Sequence, residues 1–327
     1  MPKPRYAQVS LDATPYYHCV SRCVRRALLC GTDISTGESY EHRRQWVEDK
    51  LYELANIFAI DICAYAIMSN HYHLVLHINR KQALSLSFDE VISTWHRLFT
   101  GNLISQKYCK GHALLKSEMV YLKEKVDCWR TQLMDISWFM RVLNESIARQ
   151  ANAEDHCTGR FWEGRFKSQA LLDEAALLTC MAYVDLNPIR AAIADTPETS
   201  DYTSIKQRIQ QALKPKSIKP NKQLFGFSNL ANQNSLEDLP FNFTDYLNLV
   251  EETGRILRDD KRGYIHQSTP AILQRLNINS QHWLYLTQNF ESQLKGLVGS
   301  VHKIRQVCEK LGYKRIPNLR SCASFFT

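Results

Sequence analysis

No stretch of this chain approaches the roughly 18 consecutive apolar residues that a membrane-spanning helix needs, so a helical membrane protein is excluded. Residues 1–8 carry Pro, Lys and Arg with no apolar core, and no secretory leader is expected. No CxxC pair occurs among the ten cysteines, which are scattered over 327 residues rather than clustered. A disulfide scaffold is therefore not expected, and the cysteines read as reduced thiols of a soluble, cytoplasmic protein. Internal repeats and low-complexity tracts are missing as well. Acidic residues are absent from 204–235, where Lys206, Arg208, Lys214, Lys216, Lys219 and Lys222 gather around two prolines; this reads as a basic linker, placed at 206–240.

What remains is ordinary globular composition, 44% hydrophobic and 23% charged, enough for one large domain or two smaller ones. A formal net charge of +8 suits a polyanionic partner without identifying one. Tyr16 to Val24, rich in Tyr, Val and Cys after Pro15, reads as a first strand. Between Glu41 and Phe58, Val47, Leu51, Leu54 and Phe58 recur at helical spacing with charges between them. Two apolar runs, Ile62 to Met68 and Tyr72 to Ile78, flank Ser69, Asn70 and His71 as a tight antiparallel hairpin. A second amphipathic helix follows through Ile136, Phe139, Leu143 and Ile147, before a turn region at 155–159. The polar, lysine-bearing stretch 101–130 reads as an insertion. Asp173 is positioned to cap a helix through Leu177, Met181 and Val184 that ends near Asn187, because Pro188 disfavours helical geometry in the residue before it. Beyond about residue 241, Leu294, Leu297, Val301, Ile304, Cys308 and Leu311 keep helical spacing and predict a small helical module over 241–327.

Alternate strand residues share a face, so His71, His73, Val75 and His77 point one way and Tyr72, Leu74, Leu76 and Ile78 the other. The apolar set packs and the histidines line a surface. Residues two apart lie roughly 6 to 7 Å apart along a strand, close enough for the imidazoles of His71 and His73 to converge on one ion. His77, about 13 Å from His73, is too far to share it. Two ligands alone do not make a metal site, and histidines on a polar sheet face are the plainer reading. Tyr183 and Asn187, four apart at the end of their helix, share a face and would approach one target together. A tyrosine hydroxyl, with a pKa near 10, needs a cation or base beside it to act as a nucleophile at neutral pH. Here too the plainer reading stands alongside: a packing tyrosine and an Asn-Pro helix stop.

Three strings in order, SNHYHLVLH, GRFWEGRFKS and AYVDLNPIRA, resemble the IS200-like transposases, specifically their REP-associated tyrosine transposase branch. The resemblance covers roughly Tyr16 to Ile193, leaves out the 101–130 stretch, and assigns a catalytic domain to 1–205. It implies an α+β, ferredoxin-like antiparallel sheet with packed helices, here followed by a C-terminal helical extension. It also implies His71 and His73 as metal ligands, Tyr183 as nucleophile, and Asn187 as third ligand to Mg²⁺ or Mn²⁺. The implied reaction is attack by Tyr183 on single-stranded DNA, leaving a 5′-phosphotyrosine link and a free 3′-OH, on hairpins formed by short palindromes. Relatives act as dimers or as monomers, and the sequence leaves both open.

Arg160, Phe161, Trp162, Arg165, Phe166 and Lys167 interleave cations with aromatics, which is what a groove for unpaired nucleotides requires. Of these, Arg160, Trp162, Arg165 and Lys167, with Arg190 after the Asn-Pro pair, are the candidate DNA contacts; the alternative is that the aromatics are core. Arg22 and Arg25 near the first strand, and the basic tail with Lys303, Arg305, Lys310, Lys314 and Arg315, are further possible contacts. Rival readings are a relaxase or rolling-circle initiator, which shares the chemistry, and a non-catalytic DNA-binding protein that has kept the fold. A metallohydrolase is disfavoured, since no further His or carboxylate cluster near the motif completes a three-ligand catalytic zinc pattern.

Overall fold

A computed structural model describes residues 9–24, 29–33, 36–213, 224–228, 238–257, 271–313 and 315–326. In chain order it contains β1 (Tyr16–Arg22), α1 (Arg43–Ala55), β2 (Ile60–Ile67), β3 (His71–Ile78), α2 (Arg80–Ser85), α3 (Phe88–His96), α4 (Leu103–Cys109), α5 (Lys116–Leu133) and α6 (Ile136–Glu154). Then follow β4 (Lys167–Leu171), α7 (Glu174–Asp185), α8 (Asn187–Arg190), α9 (Ser204–Leu213), α10 (Phe243–Leu257), α11 (Ala271–Arg275), α12 (Ser280–Gln293), β5 (Leu297–Val298), α13 (Val301–Lys310) and α14 (Leu319–Phe325).

The strands form one sheet in the order β2-β3-β1-β4-β5. The first three pairings are antiparallel, and β5 joins parallel to β4 through Ala170 opposite Leu297 and Leu171 opposite Val298. The β2-β3 hairpin forms where the two apolar runs meet, closed by the Met68 amide donating to the His71 carbonyl at 2.8 Å. Both faces of the sheet are covered. On one, the Tyr72 hydroxyl donates to Asn144 Oδ1 of α6 at 2.6 Å, and Phe58 packs edge-on against Phe139 of the same helix. On the other lies α7, whose Tyr183 meets His73 of β3.

That double covering corrects one expectation. The histidine face of β3 is not a solvent-facing surface: His73 is fully buried against Tyr183 of α7, and His77 nearly so between Tyr16 and Phe225. Helix α7 is buried from Ala176 to Asp185, packed between the sheet and α12. Asp173 caps it as expected, accepting from the Ala176 amide at 3.0 Å. It ends at Asp185, and Pro188 sits in the first turn of α8, where a missing N–H costs nothing.

The polar 101–130 stretch contains α4 and most of α5. Leu122, Val126, Trp129 and Leu133 of α5 form a buried stripe at helical spacing, and Trp129 stacks on Trp95 of α3 at 5.6 Å. Lys214, Lys216, Lys219 and Lys222 of the basic stretch lie outside the described residues, as do Arg25 and Lys314. Within the described part, Arg208 of α9 is buried and donates to the carbonyls of Cys63 at 2.8 Å and Phe225 at 3.0 Å, so it is a structural cation.

The helical spacing from Leu294 to Leu311 does not make one helix. Gly296, at φ +77°, takes the chain out of helical geometry. Leu297–Val298 then runs as β5, with the Ala170 amide donating to the Gly296 carbonyl at 2.7 Å and Leu172 to Val298 at 2.8 Å. Only from Val301 does the helix resume. Through Leu297–Val298 the described C-terminal residues thus join the sheet, and Trp283 is fully buried with its indole N–H on Thr253 Oγ1 at 2.9 Å.

Candidate active site

The site forms where β1, β3, β4, α7 and α12 converge. Antiparallel pairing sets Val20 of β1 opposite His73 of β3, and His18 of β1 opposite Gln169 of β4, so His18, His73 and Gln169 share the α7 face of the sheet. The imidazoles of His71 and His73 lie 4.8 Å apart, centre to centre, in a T-shaped arrangement. Tyr183 descends from α7 with its ring edge-on to His73 at 5.6 Å and to His18 at 6.2 Å, and Phe290 of α12 closes the far side at 5.7 Å.

Electrostatics favour neutral imidazoles. Burial, reinforced at His71 by Arg22, holds the His71 pKa down to about 4. Burial also holds His73 well below its ordinary value, with His18 and His71 beside it adding to the effect. Both rings are therefore neutral at pH 7, the form that binds a cation. Tyr183 is pushed the opposite way: burial raises its pKa, and the Arg190 guanidinium, 4.2 Å from the ring centre, works against that rise. The Glu291 carboxyl of α12 is disfavoured by burial, but its ion pair with Lys167 at 3.2 Å, together with His18 and His71, holds it below the usual carboxylate range.

A cation would find one open buried position. His73 Nδ1 is engaged with His18 Nε2 at 3.0 Å, while His73 Nε2 is buried and has no hydrogen-bond partner. His71 engages Asn70 Oδ1 through Nδ1 at 2.6 Å. Asn187 starts α8, is 4% exposed, and its Nδ2 likewise has no partner; no hydrogen bond ties it to either histidine. Among the described residues, no group of three or more His, Cys, Asp or Glu side chains is arranged to hold a metal, so a cation here would rest on imidazoles and an amide oxygen. The unpartnered imidazole nitrogen of His73 is a donor that a divalent cation can use.

A cleft of about 630 Å³ opens beside these residues, lined by His18, Arg160, Arg165, Phe166, Lys167 and Lys295 among others. Arg160, Arg165 and Lys167 are exposed at its wall, as a phosphate-binding surface requires. Trp162 is different, and its expected place in a nucleotide groove is corrected. It is buried, its indole N–H donates to the Asn144 carbonyl at 2.8 Å, and its ring packs edge-on against Tyr72 on the opposite face of the sheet. Phe166, half-buried, is the aromatic that lines the cleft. Arg190 is half-buried, donating to the Thr287 carbonyl at 3.0 Å with its guanidinium 4.2 Å from the centre of the Tyr183 ring.

The structure thus gathers His71, His73, Tyr183 and Arg190, and places Arg160, Arg165 and Lys167 on the wall of a cleft that His18 also lines. Sequence reasoning missed His18, Gln169, Phe290 and Glu291. Only the period-two alternation of β1 hinted at His18; the others come together through sheet pairing and tertiary packing.

No family model matches the chain, and no curated protein matches it. Among solved structures the chain is similar to a REP-associated tyrosine transposase bound to a REP hairpin, at 12% identity and a TM-score of 0.37, over 67% of this chain and 92% of that one. Among the described residues, no helix is long and apolar enough to cross a membrane.

Proposed function

We propose that this chain is a divalent-cation-dependent DNA strand transferase of the single-tyrosine HUH type. The observation that carries the reading is Tyr183 edge-on to His73 at 5.6 Å, beside a buried imidazole nitrogen with no protein partner. The order β2-β3-β1-β4, with α1 and α6 in the crossovers, supports a ferredoxin-like reading of the sheet, to which β5 is an addition.

In this reading His71, His73 and Asn187 would hold Mg²⁺ or Mn²⁺, which would supply Lewis-acid stabilisation of charge at the scissile phosphate. Single-stranded DNA enters along Arg160, Arg165 and Lys167, whose charges meet phosphates while Phe166 offers a ring face to a base. Arg190, stacked on Tyr183, opposes the effect of burial and favours the phenolate. The Tyr183 oxygen loses its proton and bonds to phosphorus as the P–O3′ bond breaks; the departing 3′ oxygen takes up a proton. A 5′-phosphotyrosine and a free 3′-OH result, and reversal at a new 3′ end transfers the strand. The phosphotyrosine bond conserves the energy of the broken one, so no nucleotide cofactor is required. Hairpin-forming palindromes, as in REP-like DNA, are the proposed substrates, bound by a monomer or a homodimer.

The test is a cleavage assay on single-stranded hairpin oligonucleotides from the DNA flanking the gene, with Mg²⁺ or Mn²⁺, for wild type and Tyr183→Phe. A covalent protein–DNA adduct that requires the cation and vanishes in Tyr183→Phe is expected. Tight binding with no adduct would instead support a non-catalytic DNA-binding protein, and an adduct that survives the substitution would move the nucleophile elsewhere.

A further inference from the structure

The buried polar chain behind His73 fixes where its protons lie. Its far end is the Leu294 carbonyl, which can only accept. Gln169 Nε2 donates to that oxygen, which turns Gln169 Oε1 toward His18, where it faces Nδ1 at 2.5 Å. An amide oxygen only accepts, so His18 carries its proton on Nδ1 and presents a lone pair at Nε2. That nitrogen faces His73 Nδ1 at 3.0 Å, so His73 must carry its proton on Nδ1 as well. The remaining nitrogen, His73 Nε2, is left with a lone pair, buried and unpartnered.

We propose that Gln169 and His18 are positioning residues: with the Leu294 carbonyl as anchor, they lock His73 in the Nδ1–H tautomer and hold its Nε2 lone pair ready for a divalent cation. The cation half of this inference rests on the HUH reading above; the tautomer half does not. A free neutral imidazole exchanges its proton between the two nitrogens and rotates, and each wrong arrangement removes the ligand. Outer hydrogen-bond partners that fix a ligating imidazole typically matter 10- to 100-fold in metal affinity. Here the fixing group is a second histidine, itself set by an amide, so one lost hydrogen bond two residues away reaches the ligand.

The relay is tested on the full-length protein without metal by long-range ¹H–¹⁵N correlation spectra of the imidazoles, together with Mn²⁺ titration followed by electron paramagnetic resonance. Wild type is expected to show His73 protonated on Nδ1 alone. Gln169→Leu, which removes the amide while keeping bulk, is expected to give a mixed tautomer population at His73 and about 10- to 100-fold weaker Mn²⁺ binding. His18→Phe, made on a different strand, guards against misfolding of the first variant and is expected to give the same two changes. A wild-type His73 protonated on Nε2, or folded variants that keep both the wild-type tautomer and the wild-type Mn²⁺ affinity, would overturn the relay. If the tautomer and Mn²⁺ results hold but no covalent DNA adduct forms, the relay stands and strand transfer falls. If wild type shows the tautomer but binds no Mn²⁺, the cation role is overturned.

Discussion

Burial acts in opposite senses on the ionisable groups around this centre. At His71 and His73 it favours the neutral ring; at Tyr183 it opposes the phenolate, and Arg190 is the counterweight. Because the His71 pKa is held down to about 4 rather than 6.5, protons compete with a cation only in acid. Mn²⁺ affinity is therefore expected to stay flat from neutral pH to about pH 5 and to fall toward pH 4; calorimetric titration across that range checks it, and an onset near pH 6.5 would contradict it. For folding, a depressed histidine pKa means that its contribution is present above pH 6.5 and lost as pH falls toward 4. Asp185 has the opposite sign. Burial raises its pKa from 3.8 to about 6, against hydrogen bonds from Ser204, Tyr246 and the Ile205 amide. Its contribution is full below pH 3.8 and lost as pH rises through about 6, worth about 3 kcal/mol. Asp185→Asn is expected to remove that part of the pH dependence, seen as a flatter plot of Tm against pH between 4 and 7.

At the scale of single elements, periodicity was legible wherever an element packs along its own length. β1, the β2-β3 hairpin, α1, α6 and α7 all follow the apolar spacing of their sequences, and the Asp173 cap is where the residue type places it. The reading failed where a partner distant in sequence decides the outcome. Leu294 to Leu311 keep helical spacing, yet β4 offers free pairing groups and Gly296 supplies the positive φ that lets Leu297–Val298 take them. In α5 the stripe Leu122, Val126, Trp129 and Leu133 was present but diluted by charged neighbours on the exposed face. The GRFWEGRFKS string mixes two kinds of aromatic, since Phe161 and Trp162 are buried while Phe166 lines the cleft, and no local pattern separates them. Trp162→Ala is accordingly expected to cost about 3–5 kcal/mol in chemical denaturation. The DNA affinity of the molecules that remain folded should be unchanged, and a large affinity loss in a stable variant would return Trp162 to the DNA surface.

For the whole molecule, a net charge of +8 matters less than where the cations lie. Arg208 is buried on backbone carbonyls and Arg190 is committed to α12 and Tyr183, whereas Arg160, Arg165 and Lys167 face the cleft. If Arg165 meets one phosphate, Arg165→Ala is expected to reduce the slope of log affinity against log salt for single-stranded DNA by about 0.7, with little effect on Tm; fluorescence anisotropy at several salt concentrations measures it. The candidate residues legible in the sequence lie between positions 71 and 190, but the surroundings that finish the site do not: Phe290, Glu291 and the Leu294 carbonyl come from the chain's last third. Gln169 waits for an acceptor 125 residues downstream. On a translating ribosome, a chain that has emerged only as far as α9 holds Tyr183 and both histidines yet lacks Phe290 beside Tyr183 and the anchor of the imidazole chain. Synthesis order thus leaves one wall of the cleft, Glu291, Leu294, Lys295 and Gly296, to be added last, and couples completion of the candidate site to the arrival of a two-residue strand.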